Sequence, residues 1–541
     1  MYFRLTLLLL LVNWAAVAIA APPKLDFLFP AGAQPGTTTT VTVYGTFEKW
    51  PPQVWCDRPD ITIAAAAEKG KLAVTVPAYA LPGICWLRLY DAEGATLLRP
   101  FILGMIPEVI ETEPNNEFSK AQVLDSAHVT VNGQLDKLQD VDCFAVPLKQ
   151  GQTLVASLEA HRTLGSPMDG VLQIVSLDGF VLERNDDDHG LDPQIVFLAP
   201  ADRTYVVRAL AFPAEANSNM ALAGAPNYVY RLTLTTGPFV DHVWPNAASS
   251  SGPAETRIFG WNIPDALQRL PLIVAPGKPV VTLFAPELAN FITIPVEPHA
   301  VVVENQPAGP REPQELQSPV TLTGRIEEVH EVDAYRVALR KGEAIHIRVE
   351  AREFGSPLDP VLTVVDAAGK TLQSVDDVET SRDAELTFAA PADGQYKFTI
   401  ADLHRRGGWR FVYRLTLTRP QPDFQASVAA ETFVLTTGKP LEILVAITRA
   451  GGFAEEIEFA LVGLPAGILA VPVKSSGQGD TAKSVKLVLA GAAAPWSGPI
   501  HITGQSAGEA KLSHKAQAPI AGLTARTTNL WLTVVAAPAQ K

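Results

Sequence analysis

Two short acidic segments carry the residue types that bind a hard cation. The ligand candidates are Glu111, Glu113, Asn115 and Asn116 in the first segment, and Asp140 and Asp142 in the second. If the segments meet in the fold, their carboxylates repel one another unless a cation lies between them. Carboxylate and amide oxygens in this number suit calcium better than magnesium. We therefore expect a calcium site, and the alternative is that residues 111 to 116 form only a solvated turn.

A second acidic loop, at residues 185 to 190, reads Asn-Asp-Asp-Asp-His-Gly. It lacks the alternating ligands and the distal glutamate of a helix-loop-helix calcium site. Aspartate side chains that bond to their own backbone are typical of tight turns. We expect a hairpin turn here, and His189 alone does not indicate zinc.

The most cationic loop, at residues 404 to 410, reads His-Arg-Arg-Gly-Gly-Trp-Arg. Arg405, Arg406 and Trp409 combine positive charge with an aromatic face, which suits a sugar or an acidic polymer. The alternative is a solvated hairpin whose tryptophan lies along the surface. These three residues are the candidates for ligand contact.

Patterns typical of catalysis are weak in this chain. Residues 504 to 508 read Gly-Gln-Ser-Ala-Gly, but a nucleophile elbow needs a helix after Ser506, and the residues that follow are polar or small. The sequence has no His-Glu-x-x-His pattern and no phosphate-binding glycine loop. We predict no catalytic residues and interpret the chain as non-enzymatic, and the alternative is a hydrolase centred on Ser506.

Composition favours folded modules and disfavours polyanion binding. The 541 residues include 47% hydrophobic and 18% charged residues, which is typical of globular domains. The 43 basic and 57 acidic residues give a net charge of −14, which argues against a nucleic-acid partner. At this length, several domains are expected.

The first 20 residues predict export. One early charge at Arg4 precedes an apolar run and then small residues, in the order of a secretory signal peptide cleaved near Ala20. A membrane anchor is the alternative, and no later segment is expected to span a membrane. In an oxidising compartment, Cys56 and Cys85 are candidates for a disulfide.

The elements that position these residues are expected to be strands. Apolar and polar residues alternate with period two along the chain, between turns rich in Gly, Pro, Asn and Asp. Residues 165 to 169 match residues 355 to 359, and Tyr-Arg-Leu-Thr-Leu-Thr occurs at both 230 to 235 and 413 to 418. The fold class is therefore all-β, with tandem β-sandwich modules and one module that occurs twice.

The predicted organisation has six segments: a signal peptide at 1–20, an immunoglobulin-like domain at 21–108, the first repeat at 109–236, a short immunoglobulin-like or connecting β domain at 237–300, the second repeat at 301–419 and a terminal immunoglobulin-like sandwich at 420–541. In the second repeat, Glu304, Glu331 and Asp333 are the acidic residues retained at the calcium positions. We expect that this copy binds calcium poorly or not at all.

The repeat resembles the bacterial pre-peptidase C-terminal domain. The residues that carry the resemblance are 111–116, 133–135, 140–142, 151, 186–187 and 228–232. The resemblance implies a jelly-roll-type β-sandwich on a secreted bacterial protein. In the calcium-binding members of the related collagen-binding modules, an acidic linker and strand-edge aspartates bind the ion, which is what the resemblance implies for Glu111, Glu113, Asn115, Asn116, Asp140 and Asp142.

The expected function is an exported binding or scaffold protein, in the periplasm, at the cell surface or outside the cell. Its expected partner is an extracellular or cell-envelope polymer or protein, not a nucleic acid. The alternative is a substrate-targeting accessory protein of a secreted hydrolase that acts on polysaccharide or protein.

Overall fold

The chain is almost entirely β-structure in the computed structural model, which describes residues 21–215, 221–305, 312–378, 381–508 and 511–537. The expected signal peptide lies outside the described residues. Within them, helical structure comprises α1 (His161–Leu164) and short 3-10 turns at Phe118–Lys120, Asp265–Leu267 and Arg352–Phe354. The prediction of an all-β fold with tandem sandwiches is confirmed. No helix in the described part of the chain has the length and apolar character needed to cross a membrane.

The first module packs two four-stranded sheets face to face, with orders β1-β3-β6-β5 and β2-β8-β7-β4. Its strands are β1 (Lys24–Phe29), β2 (Gly32–Ala33), β3 (Thr37–Thr46), β4 (Gln53–Cys56), β5 (Thr62–Ala65), β6 (Lys71–Val76), β7 (Gly83–Tyr90) and β8 (Arg99–Leu103). Alternation along β6 buries Leu72, Val74 and Val76 between the sheets.

The second module contains two five-stranded sheets, with orders β9-β11-β18-β13-β16 and β10-β12-β17-β14-β15. Its strands are β9 (Glu108–Ile110), β10 (Gln122–Val123), β11 (His128–Gln134), β12 (Asp142–Leu148), β13 (Thr153–Glu159), β14 (Met168–Val175), β15 (Val181–Asn185), β16 (Gln194–Leu198), β17 (Arg203–Pro213) and β18 (Val229–Thr235). Phe144, Tyr205 and Tyr230 are fully buried between the sheets and are among the largest side chains of its core.

The third module is the smallest. It pairs a three-stranded sheet, β19-β20-β21, with a two-stranded sheet, β22-β23. Its strands are β19 (Phe239–Trp244), β20 (Glu255–Trp261), β21 (Arg269–Pro271), β22 (Val280–Leu283) and β23 (Ile292–Pro295). Its core includes Val240, Ile258 and Leu288, so this connecting segment has a hydrophobic cluster of its own.

The fourth module repeats the second strand for strand, with orders β24-β26-β33-β28-β31 and β25-β27-β32-β29-β30. Its strands are β24 (Ala300–Val303), β25 (Gln314–Glu315), β26 (Val320–Arg325), β27 (Val332–Leu339), β28 (Ala344–Glu350), β29 (Pro360–Val365), β30 (Thr371–Val375), β31 (Ala384–Ala389), β32 (Gly394–Asp402) and β33 (Val412–Thr418). The two copies therefore share one topology as well as one order of motifs.

The fifth module packs a four-stranded sheet, β34-β36-β40-β38, against a larger sheet of order β35-β45-β41-β37-β39. Its strands are β34 (Asp423–Ser427), β35 (Thr432–Thr436), β36 (Leu441–Ala450), β37 (Ile457–Val462), β38 (Ile468–Ala470), β39 (Val473–Ser475), β40 (Ser484–Gly491), β41 (Trp496–Ser506), β42 (Ser513–Lys515), β43 (Ala518–Pro519), β44 (Arg526–Thr527) and β45 (Leu530–Val535). Since the sheets of the described residues divide near 108, 236, 300 and 419, we propose module boundaries there.

The first and last modules contact each other. Arg88 of β7 forms a buried ion pair with Glu431, at 3.1 Å from Nη2 to Oε2. The guanidinium also lies 5.8 Å from the ring of Trp55 and 5.3 Å from that of Trp531. The interface between the first and last modules therefore contains a buried ion pair beside the rings of two tryptophans.

Candidate functional site

The two acidic segments of the second module meet at one edge of its sandwich. Residues 111 to 116 follow β9, and Asp142 begins β12 after a turn that contains Gln139 in the left-handed region, at φ 66°. The Asn116 amide donates a hydrogen bond to Asp140 Oδ1. Asp140 Oδ2 accepts the backbone N–H of Asp136 at 2.8 Å. The predicted ligand segments are therefore neighbours.

The outer part of this edge, called here the acidic cluster, consists of Glu113, Asp136 and Asp140. One carboxylate oxygen from each lies within 4.8 Å of the others. Asp140 is fully buried, and burial is the main cause of its raised pKa. Such convergence of carboxylates favours a bound cation.

Lys137 is the competing cation at the acidic cluster. Its ammonium lies 3.1 Å from Asp136, 3.5 Å from Asp140 and 3.8 Å from Glu113. The side chain is 58% exposed, so the lysine reaches the cluster from the solvent side. A metal ion at the cluster would have to displace this ammonium.

Asn115 lies directly beside the acidic cluster and is fully buried. Its backbone N–H donates to Glu113 Oε2 at 2.9 Å. Neither the Oδ1 nor the Nδ2 atom of its side chain has a hydrogen-bond partner among the described residues. A buried amide without hydrogen-bond partners lowers the stability of the fold, and a ligand bound to Oδ1 would restore part of that stability.

The inner part of the edge, called here the inner pair, consists of Glu111 and Asp142. Tyr230 OH donates to Asp142 Oδ2 at 2.5 Å and lies 3.3 Å from Glu111 Oε2. Burial raises the pKa of Asp142 to about 7, and burial together with the neighbouring Asp142 raises the pKa of Glu111 well above its ordinary range. Glu111 Oε1 accepts the N–H of Gln134 at 2.7 Å.

The structure thus divides the six predicted ligands into two groups. Glu113, Asn115, Asn116 and Asp140 lie at or beside the acidic cluster, whereas Glu111 and Asp142 belong to the inner pair. Asp136 was not predicted. Its spacing from Asp140 could have indicated it, because Asp136 and Asp140 belong to the same turn, in which Gln139 has a left-handed backbone conformation.

The second copy retains the inner arrangement in modified form. Tyr413 OH donates to Asp333 Oδ2 at 2.6 Å, and Glu304 Oε2 accepts the N–H of Arg325 at 3.1 Å. Tyr335 occupies the position of Phe144 and forms a hydrogen bond with Tyr413. The buried polar network of this copy therefore includes two tyrosines.

The outer acidic residues of the second copy bond within their own loop. Glu331, which aligns with Asp140, accepts the N–H of Glu328 at 2.7 Å. Glu327, which aligns with Asp136, forms an ion pair with Arg325. Among the described residues, the acidic cluster of the first copy is the group in which three metal-ligating side chains converge. Residues 306 to 309, which align with the rest of the ligand segment, lie outside the described residues.

The cationic loop forms contacts inside the protein. The Arg406 guanidinium bonds to Asp402 at 3.1 Å, and the Trp409 ring lies 5.5 Å from both His242 and Trp261 of the third module. Arg405 adopts a left-handed backbone conformation, with φ 59°. Ligand contact by Arg405, Arg406 and Trp409 stays a prediction.

Arg410 at the end of this loop joins three modules, a role that the sequence did not indicate. It binds Asp188 of the second module through both Nη atoms, at 3.1 and 2.8 Å, and Asp241 of the third through Nε, at 2.8 Å. The acidic loop at 185 to 190 therefore contributes Asp188 to a joint between modules.

Ser506 is not placed as a catalytic nucleophile. It ends β41, its Oγ accepts the N–H of Leu512 at 3.0 Å, and the next described element is the strand β42. The side chain is buried. A nucleophile elbow needs a helix after the serine, and the described residues after Ser506 form none.

Cys56 and Cys85 lie on the paired strands β4 and β7 and are free thiols in this structure. A hydrogen bond from Cys85 lowers the pKa of Cys56 to about 7, so Cys56 is the thiol more readily deprotonated. We predict that mild oxidation joins them and stabilises the first module by about 3 kcal/mol. Intact-mass measurement after alkylation should show two fewer reactive thiols, and full alkylation of both after oxidation would refute the bridge. Cys56→Ser is the control.

No protein family model matches the chain. A stretch of 154 residues is 30% identical to a probable subtilase-type serine protease of Deinococcus radiodurans, and the match covers 27% of this chain and 20% of that protein. The chain therefore spans about a fifth of the length of this curated relative.

Several solved structures are similar to this chain with low TM-scores, and three of them follow. The pre-peptidase C-terminal domain of a Bacillus anthracis collagenase is 15% identical over 21% of this chain and 100% of that chain, with a TM-score of 0.17. Aeromonas hydrophila PliG, a periplasmic inhibitor of g-type lysozyme, is 13% identical over 22% of this chain and 96% of that chain, with a TM-score of 0.16. SGBP-B of the Bacteroides ovatus mixed-linkage glucan utilization locus is 11% identical over 74% of this chain and 76% of that chain, with a TM-score of 0.15.

The resemblance to the pre-peptidase C-terminal domain is carried by the motifs of the repeat in the sequence. It rests on similarity over part of the chain and does not assign the chain to a family.

Proposed function

We propose that the chain is an exported, non-catalytic binding or scaffold protein of β-sandwich modules, in which calcium stabilises the first pre-peptidase C-terminal-like module. The observation that supports the calcium proposal best is the convergence of Glu113, Asp136 and Asp140 beside the buried Asn115 amide, which has no hydrogen-bond partner in the part of the chain that the structure describes. Export is supported by the order of residue types in the first 20 positions.

The residues present fit a calcium ion. The acidic cluster supplies three carboxylates, and the amides of Asn115 and Asn116 lie beside it. Calcium accepts flexible sets of oxygen ligands, including monodentate and bidentate carboxylates and amide carbonyls. The ion would offset the mutual repulsion of the carboxylates and would leave the inner pair to orient the ligand segment through Gln134 and Tyr230.

Calcium is expected to raise the stability of the second module and leave the fourth unchanged. An ion that binds only the folded state stabilises it by about 2.7 kcal/mol at a hundredfold excess over Kd. Hydrogen exchange of the full chain, read module by module in calcium and in chelator, measures this difference. Equal protection of the second module in both conditions would contradict the proposal.

Three variants sharpen this experiment. Asp140→Asn removes a ligand and should abolish the calcium effect, whereas the aligned change Glu331→Gln in the fourth module should not. Lys137→Ala removes the competing ammonium and should increase the calcium affinity. A calcium effect that survives Asp140→Asn would place the ion elsewhere.

An accessory role beside a secreted hydrolase is the second candidate. It is supported by the similarity of part of the chain to a subtilase-type protease, which is a property of that relative. Co-sedimentation of the full chain with insoluble polysaccharides and with collagen, in calcium and in chelator, tests this role. Retention on one of these polymers would support targeting, and failure to bind any of them would count against it.

A further inference from the structure

A cavity of about 360 Å³ lies where the first four modules meet. Its wall includes Met105 from the end of the first module, strands β13 and β18 of the second, β19 and residues 289 to 294 of the third, and Phe354 of the fourth. Small-molecule sites have volumes of roughly 300 to 1,000 Å³ and are frequent at domain interfaces. The volume and position of this cavity suit a small ligand.

Five side chains of the cavity wall carry buried polar atoms that have no hydrogen-bond partner among the described residues. Three of these atoms are Gln194 Oε1, His242 Nε2 and Asn246 Nδ2, and each of these three residues is 5% exposed. The other two atoms are His189 Nδ1 and Arg231 Nε. Buried polar atoms in folded proteins almost always have a partner, which is another protein group, a water molecule or a ligand. The cavity therefore offers unused hydrogen-bonding capacity.

The chemistry of each unused atom is set by the rest of its side chain. His242 Nδ1 bonds to the Asp241 carboxylate at 2.7 Å and is therefore the donor nitrogen, which leaves Nε2 as an acceptor in the tautomer with one ring proton. Asn246 Oδ1 accepts from Thr323 Oγ1 at 2.8 Å, which leaves Nδ2 as a donor. Gln194 Nε2 lies 3.4 Å from Asp188 Oδ2, which leaves Oε1 as an acceptor. Two acceptors and one donor complement hydroxyl groups, because a hydroxyl both donates and accepts.

The charged groups at the cavity are largely paired with each other. Arg231 bonds to Glu108 and to Glu159, and Arg414 bonds to Glu350 at 2.9 Å. Exposed Arg162 and Glu353 add one charge of each sign at the rim. The wall as a whole carries three arginines, Arg162, Arg231 and Arg414, against four acidic residues, Glu159, Asp192, Asp241 and Glu353. This near balance disfavours an anionic ligand and suits an uncharged one.

Aromatic side chains line the same cavity. Phe239, Phe291 and Phe354 contribute rings from the third and fourth modules. Apolar walls with a few convergent polar groups are the usual composition of a small-molecule site. Pyranose rings combine an apolar face with hydroxyl groups at the edge, so a sugar matches both features of this wall.

We propose that this cavity binds a neutral sugar of one or two pyranose units, through hydrogen bonds to Gln194, His242 and Asn246. The proposal rests on the binding role given above and adds a ligand class to it, but it is independent of calcium because none of the acidic-cluster residues line the cavity.

The test is titration of the full chain with cellobiose, maltose, xylobiose and N,N′-diacetylchitobiose, followed by saturation-transfer NMR and calorimetry. We expect saturable binding of at least one of these probes, with equal affinity in calcium and in chelator. Calcium-dependent protection of the second module without sugar binding would overturn this proposal and leave the calcium proposal intact. Sugar binding without calcium-dependent protection would overturn the calcium proposal and support this one.

Thr293→Tyr is the principal variant because Thr293 is exposed, lines the cavity and lies on β23, where a larger side chain blocks the space without entering a core. Thr282→Tyr is the matched control, since Thr282 pairs with Thr293 across the same hairpin and does not line the cavity. Thr293→Tyr and Gln194→Leu should weaken binding by about tenfold or more, or about 1.4 kcal/mol, whereas Thr282→Tyr should bind like the natural chain. Absence of saturable binding to all four probes, or binding unchanged in both cavity variants, would overturn the proposal.

Discussion

Replacing Arg88 with methionine is expected to weaken the contact between the first and last modules by about 3 to 5 kcal/mol, because the change leaves a buried carboxylate without its counter-charge. Arg88 is fully buried and Glu431 is 1% exposed. Glu431 Oε1 also accepts the N–H of Leu98 at 3.0 Å, so its position in the interface is fixed. Burial already raises the pKa of Glu431 in the presence of the arginine.

Small-angle scattering and hydrogen exchange of the full chain measure this effect. We expect a larger radius of gyration and faster exchange at β7 and β45 in Arg88→Met. The double variant Arg88→Met with Glu431→Leu should recover much of the loss, since apolar replacement of a buried pair is often neutral or stabilising. Arg58→Ala removes a partly exposed pair with Asp60 inside the first module and should cost about 1 kcal/mol or less. Scattering and exchange unchanged in Arg88→Met would show that the contact does not depend on this pair.

Gly133→Ala should destabilise the second module by up to about 3 kcal/mol, through overpacking of a close contact. Gly133 of β11 pairs with Tyr230 of β18, and a Cβ atom at Gly133 would overlap the tyrosine ring. The same relation joins Gly324 and Tyr413 in the other copy. Displacement of Tyr230 would also disturb its hydrogen bond to Asp142.

Hydrogen exchange of the second module in the full chain measures the loss. Gly394→Ala is a suitable control because a Cβ atom there meets nothing within 4 Å and its backbone needs no left-handed φ. Changes at such sites are usually within about 0.5 kcal/mol. Unaltered protection of the second module in Gly133→Ala would mean that the tyrosine ring shifts at little cost.

Much of the fold was predictable from the sequence because its signals are local. Period-two alternation marks which face of a strand is buried, and the repeated Tyr-Arg-Leu-Thr-Leu-Thr strands mark the same central position of two equivalent sheets. The meeting of residues 111 to 116 with Asp140 was a condition of the calcium prediction, and the hydrogen bond from Asn116 to Asp140 fulfils that condition.

The contacts between modules were not predictable in the same way. Arg88 lies between Leu87 and Leu89 on β7, so the alternation correctly points it away from the core of its own module. No periodic pattern indicates that Glu431, more than 300 positions away, covers that face. The contacts of Arg410 and of the cavity residues were also not predictable from the sequence, because their partners belong to other modules. Asp136 was missed for a different reason, since its approach to Asp140 depends on a turn with a left-handed residue.

The most direct test of the calcium proposal is the number of calcium ions bound per chain, measured by equilibrium dialysis with elemental analysis. The proposal predicts one ion for the natural chain and for Glu331→Gln, and none for Asp140→Asn at the same free calcium concentration. A natural chain that binds no calcium, or an Asp140→Asn chain that retains its ion, would contradict it.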